Sequence, residues 1–208
     1  MKGYPQFALI TFTSLLFIVD PIAVIPTYLV ITERETSEQR ASTARRACIA
    51  AALLLATFAV AGRLIFELFG ITLAAFRIAG GCILGLVAMD MLRSKRTTQE
   101  SAVEVAEGQE KEDVALTPLA MPMLAGPGAI SAVMVLSGAA KNAEQTMTVY
   151  AAIVATALVC WVVLRLAERL SARLGRTGIQ VVSRIMGLML AAVSAQFIIT
   201  GVKDAFGL

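Results

Sequence analysis

Two short stretches place helix-breaking residues inside long apolar runs, and one of them adds a carboxylate. The first is Asp20-Pro21-Ile22-Ala23-Val24-Ile25-Pro26. A proline has no amide hydrogen and its ring crowds the carbonyl four residues earlier, so Pro21 acts on Phe17 and Pro26 on Ile22. Asp20 is placed to cap a helix restarting at Pro21, accepting from the amide of Ile22 or Ala23. The second stretch runs from Pro118 through Pro122, Gly126, Pro127 and Gly128 to Ser131. Three prolines and two glycines in these fourteen residues do not fit one regular helix. The break is expected at Gly126, with a new helix from Pro127. The N–H groups of a helix start carry partial positive charge and suit an anion such as a carboxylate. A carboxylate deep in lipid is costly and marks a candidate site. Each stretch also has a purely structural reading: Asp20 as no more than a cap on a proline kink, and the Gly126–Gly128 break as a packing kink where glycines let helices approach.

Other chemistries are poorly supplied. The chain has no histidine, which removes the commonest metal ligand and general base. Cys48, Cys82 and Cys160 lie in or beside apolar runs without CxxC spacing and read as small buried residues. No metal site and no cofactor is expected. A membrane-embedded enzyme would need a carboxylate pair, and Asp20 and Asp90 fall at different depths. The +3 net charge is no nucleic-acid signal, because the basic residues flank apolar runs instead of forming a stripe.

The elements that must position these stretches follow from composition. Of the 208 residues, 58% are hydrophobic and 16% charged, too apolar for a soluble domain of this size. The uncharged stretches are long enough to cross a bilayer as helices. Six spans are expected, at about 6–31, 46–69, 72–92, 114–139, 147–166 and 179–203. Span six is the most polar, with Arg184, Ser194, Gln196 and Thr200. Arg77, Asp90 and Arg184 near span ends, and Arg63 with Glu67, read as snorkelling or locally paired groups. Gly80, Gly81 and Gly85 give span three a small-residue packing face.

Basic residues concentrate in alternate loops: Arg34, Arg40, Arg45 and Arg46; Arg93, Lys95, Arg96 and Lys111; Arg165, Arg169, Arg173 and Arg176. The positive-inside rule makes these loops cytoplasmic and puts both termini on the periplasmic or extracellular side of a cell inner membrane. Asp20-Pro21 interrupts the first apolar run where a signal-peptide cleavage site would lie, so that run is expected to remain.

A weak internal repeat joins the halves. Arg77-Ile78-Ala79-Gly80 and Arg184-Ile185-Met186-Gly187 are offset by 107 residues, and the same offset lays Asp20-Pro21 over Pro127-Gly128. Three spans per half is an odd number, so a shared fold must enter the membrane inverted the second time. The expected organisation is 1–92 as one three-helix repeat, 93–113 as a polar cytoplasmic linker, and 114–208 as the inverted repeat. The fold class is an all-α membrane protein of six transmembrane helices, with helices one and four broken near mid-membrane.

DPIAVIP in span one, FRIAGGCILGLVAMDML in span three and PLAMPMLAGPGAIS in span four together resemble the MarC family of integral membrane proteins, over essentially the whole chain. That family's first motif usually reads DPxGNxP; here Ala23 and Val24 replace the glycine and asparagine. The matching positions are Asp20, Pro21, Pro26, Pro122, Gly126, Pro127 and Gly128. The resemblance implies kinship with SnatA-like neutral amino-acid transporters and, more distantly, LysE-type exporters. The expected function is therefore a secondary transporter or exporter of small zwitterions such as alanine or glycine. The candidate substrate-binding residues are Asp20, Pro21, Pro26, Pro122, Gly126, Pro127, Gly128 and Ala129. The expected partners are the solute and the lipid bilayer. The coupling ion, proton or sodium, and the oligomeric state stay open, as do two other classes: a structural or regulatory membrane protein, and an enzyme.

Overall fold

The computed structural model describes residues 4–93 and 115–207, which are helical apart from short connecting turns, with no strand among them. The linker expected at 93–113 lies outside the described residues except for Arg93, the last residue of its helix.

Helix α1 (Tyr4–Val19) and helix α2 (Pro21–Ile31) form one span interrupted at Asp20. The chain continues helical through Pro26, so this span breaks once, not twice. Helix α3 (Ser37–Phe69) starts in a capping box, Thr36 accepting from the Gln39 amide and Gln39 from the Thr36 amide. It stops at Gly70, whose φ of 63° is the left-handed conformation glycine adopts without strain. Helix α4 covers Leu73–Arg93. The proline-rich segment α5 (Ala115–Leu124) is an irregular helix with extended backbone at Thr117 and Met121, the residues before the cis-prolines Pro118 and Pro122. Helix α6 (Pro127–Ala139) follows at a bend of 59°. Helix α7 (Ala143–Arg165) is capped by Asn142. Helix α8 (Ala167–Phe206) turns sharply at Gly175, φ 63°.

Five of the described helices or helix pairs are long and apolar enough to cross a membrane, and six if the bent pair α5–α6 counts as one span. Leu53, Val60, Leu68, Leu86, Met147 and Leu188 stand exposed on the outer surface, as lipid-facing side chains do. The chain is thus a multi-pass integral membrane protein.

The packing divides into two parts. Helices α1, α2, α3, α5, α6 and α7, with the first turn of α8 at Ala167, share the larger core, in which Leu15, Ile25, Leu119, Leu124, Val133 and Ile153 are almost completely buried. Helices α4 and α8 form a closely packed pair with a small core of Leu84, Ala88 and Leu190. Lipid tails are as apolar as leucine, so close backbone approach and interhelical hydrogen bonds carry such a contact. The Ser194 hydroxyl donates to the Gly81 carbonyl at 2.7 Å. A Cβ at Gly81 would lie 2.7 Å from Ile198 and 3.0 Å from the Ser194 carbonyl. Gly80 instead meets Ser131 of α6. With Gly80 facing α6 and Gly81 facing α8, Cys82 is left on the outer face. This corrects its reading as a buried residue; only Cys48 and Cys160 are buried.

Each end of the bundle carries an ion pair. Arg40 of α3 pairs with Glu168 of α8, and its guanidinium also donates to the Thr32 and Glu33 carbonyls. At the opposite end Arg77 of α4 pairs with Asp204 of α8.

Candidate functional site

The break in the first span is built on Asp20. Its amide still closes the α1 turn on the Leu16 carbonyl. Its backbone then takes φ 42°, ψ 73°, a left-handed conformation that Asp and Asn visit more readily than other side-chain-bearing residues. Pro21 starts α2 at the position where its missing amide hydrogen leaves nothing unsatisfied. Oδ1 of Asp20 accepts from the Ala23 amide at 3.3 Å, the cap expected from the sequence. The residue is only 5% exposed, and Oδ2 has no hydrogen-bond partner. A half-satisfied carboxylate in apolar surroundings is expensive, so the second oxygen is available to something that enters.

The second break falls at Gly126, with α6 starting at Pro127 as the sequence suggested. Gly126 caps α6 with no side chain, leaving the amides of the first turn without that partner. Its glycine is dictated by a close backbone approach: a Cβ there would lie 2.5 Å from the Pro122 carbonyl oxygen. Ala125 bonds back to the Ala120 carbonyl at 2.8 Å, which folds α5 onto the break. Gly128 and Ala129 are buried, whereas Pro122 and Pro127 are exposed.

The two breaks come together. Val19, one residue before Asp20, and Leu124, two before Gly126, line one small crevice, closed by Ala51 and Leu55 of α3 and by Thr156 and Cys160 of α7. It has room for about one water molecule. A Cβ at Gly128 would lie 3.8 Å from Ile18 of α1 and 2.7 Å from Leu84 of α4. The Cα face of Gly128 is therefore occupied by packing, the structural reading of that glycine. Pro26, on the second turn of α2, is half-buried and does not line the crevice.

Two buried hydroxyls were not singled out by sequence reasoning. Thr156 lines the crevice, is 2% exposed, and its hydroxyl has no partner. A helical threonine ordinarily bonds the carbonyl four residues back, as Thr148 does to Glu144 here, so an unpaired one is an exception. Thr11 of α1 is likewise buried and unpaired. Cys48 and Cys160, read from the sequence as small buried residues, are buried and both line the crevice, whereas Asp20 is not among its lining residues. Thr156 and Cys160 share a helix face by their spacing, a signal too weak to separate from core packing. Among the described residues no cluster of three or more Cys, Asp or Glu could hold a metal ion.

The sequence profile of a family described as MarC family integral membrane protein matches residues 6–206. Curated relatives match over nearly their whole length. A UPF0056 membrane protein of Methanocaldococcus jannaschii is 36% identical over 96% of this chain and 98% of its own. YhcE of Escherichia coli is 36% identical over 94% of this chain and 91% of its own. YvbG of Bacillus subtilis is 36% identical over 97% and 96%. Each is named only as a UPF0056 membrane protein. No solved structure matches.

Proposed function

Because the chain belongs to the MarC family of integral membrane proteins, we propose that it is a secondary transporter or exporter of small neutral amino acids, working by alternating access. The observation that carries this reading is that residues adjoining the breaks of two spans, Val19 and Leu124, line one crevice, while Oδ2 of the buried Asp20 next to Val19 in sequence is unpaired. Discontinuous helices meeting near mid-membrane are how many transporters present backbone groups to a polar solute. The solute's ammonium would face Asp20 Oδ2 or the carbonyls near Phe17. Its carboxylate would take the free amides at the start of α6, around Gly126 to Ala129. Pro21 and Pro127 position these helix starts, and Pro26 and Pro122 shape the segments behind them. The reading assigns no catalysis, and a proton or sodium ion would couple the cycle.

A crevice with room for about one water does not hold an alanine. The conformation is thus closed around its centre, and access requires one end to open. The ion pairs Arg40–Glu168 and Arg77–Asp204 at opposite ends are the contacts that opening would break in turn. Support for two inverted halves, 1–92 and 114–208, comes from the pairing of α4 with α8, the last helix of each half. In this reading the loops after α2 and α7 are cytoplasmic, in an inner membrane, with both termini outside.

The test is uptake of radiolabelled alanine and glycine by proteoliposomes containing the purified chain. Saturable uptake, competed by other small neutral amino acids and absent from empty vesicles, is expected. Folded protein in the bilayer without flux of any neutral amino acid, inward or outward, would sink the proposal.

A further inference from the structure

The crevice carries a second chemistry that amino-acid transport does not use. Cys48 of α3 is 3% exposed and Cys160 of α7 is 1% exposed; both are free thiols and both line the same small space. The Thr156 hydroxyl, one turn from Cys160, lines it too, 2% exposed and unpaired. We propose that this crevice is a binding site for a soft monovalent cation, Cu(I) or Ag(I), held between the sulfurs of Cys48 and Cys160.

The ligand set selects the ion. A sodium or magnesium ion wants a shell of oxygens, and the crevice offers one hydroxyl, Thr156, among two thiols and aliphatic walls. Zinc wants four ligands from Cys, His or carboxylate, and no group of even three is present among the described residues. Soft sulfur ligands select Cu(I) and its congener Ag(I), which accept two sulfurs in a line. Such an ion also fits a space the size of a water.

Charge closes in the same way. A sulfur–metal bond forms at Cys160 as its S–H bond breaks, because a coordinating thiol gives up its proton. That proton is released to water as the ion enters, and Cys48 coordinates as a neutral thiol. Nothing is oxidised or reduced. The Cys160 thiolate and the monovalent ion cancel, so the crevice stays without net charge, which suits a low-dielectric site. Binding would cross-link α3 to α7 beside both helix breaks and hold the closed conformation.

The experiment uses full-length protein carrying Cys82→Ala, which removes the exposed thiol, and silver nitrate in chloride-free buffer as the probe. Expected are one tight silver ion per chain and an X-ray absorption spectrum with two sulfur neighbours per silver. Cys48→Ser and Cys160→Ser should each weaken binding, measured against a competing chelator, by at least the 10–100-fold that loss of an outer-shell partner costs. No tight silver, a silver with one sulfur or only light-atom neighbours, or wild-type affinity in either serine variant would overturn the proposal. If a serine variant fails to fold, the sulfur count on the Cys82→Ala protein decides alone. None of these readouts depends on flux, so the site stands or falls independently of the transport reading.

Discussion

Replacing Asp20 separates the two things it can do. Asn keeps an oxygen to accept from the Ala23 amide and is the other side chain that tolerates a left-handed backbone, so Asp20→Asn preserves both the cap and the φ of 42°. Ala keeps neither. Losing the cap costs about 1 kcal/mol, and holding alanine in the left-handed region costs about 1–2 kcal/mol more. Both variants shed the unpaired buried carboxylate, a relief common to the two. Asp20→Asn should therefore be more stable than Asp20→Ala by about 2–3 kcal/mol, the sum of those terms, and no less stable than the parent. Flux should follow charge, not stability: both variants should be inactive per folded molecule if Oδ2 meets an ammonium or coupling cation. Thermal unfolding in detergent and alanine flux normalised to reconstituted protein give the two readings on one preparation. An Asp20→Asn protein with parental flux would refute the charge role and leave only the cap. An Asp20→Ala protein as stable as Asp20→Asn would refute the local geometry itself.

Gly126→Ala sets a methyl 2.5 Å from the Pro122 carbonyl, a backbone atom that cannot step aside, so its unfolding stability should fall by about 1–3 kcal/mol; an unchanged melting temperature would contradict the close approach. Gly81→Val should push α4 from α8 and lower yield and melting temperature, whereas Ser194→Ala, which loses only the hydrogen bond to Gly81, should cost about 0.6 kcal/mol; equal losses in a melting assay would count against backbone packing as the main term. Gly128→Leu should cost about 1–3 kcal/mol through Leu84, and Leu84→Ala should restore much of that stability. If Gly128→Leu, Leu84→Ala folds well but does not transport, the solute passes this backbone; if it transports normally, the glycine serves packing alone.

Much of this fold was legible because its signals are local. A proline at a helix start, an aspartate before it and a glycine between prolines act within one turn, so both breaks fall at Asp20 and Gly126 where the sequence put them. Glycine spacing marked α4 as a packing helix for the same reason. What could not be read is set by tertiary contact. Pro26 stays inside a continuous helix because its neighbours hold that helix against α7 and α8. Whether Cys48, Cys82 or Cys160 is buried depends on which face of each helix meets a partner, and apolar runs in lipid carry little amphipathic pattern to say so. The unpaired hydroxyl of Thr156 is likewise a fact about α3 and α5 closing over α7, invisible to any reading of α7 alone.

The role of Leu84 ties these parts together. It belongs to the small core of the α4–α8 pair, yet its side chain fills the space left by the missing side chain of Gly128. Four residues earlier on the same face, Gly80 lets α4 approach Ser131, one turn further along α6. The α4–α8 pair therefore rests on the first turns of α6, where the amides proposed to receive a carboxylate lie. Close-packed contacts of this kind hold one arrangement or another and do not deform smoothly. A movement of the pair against the other spans would shift Leu84 against Gly128. In alternating access, that contact would couple the state of the site to the side from which it is open.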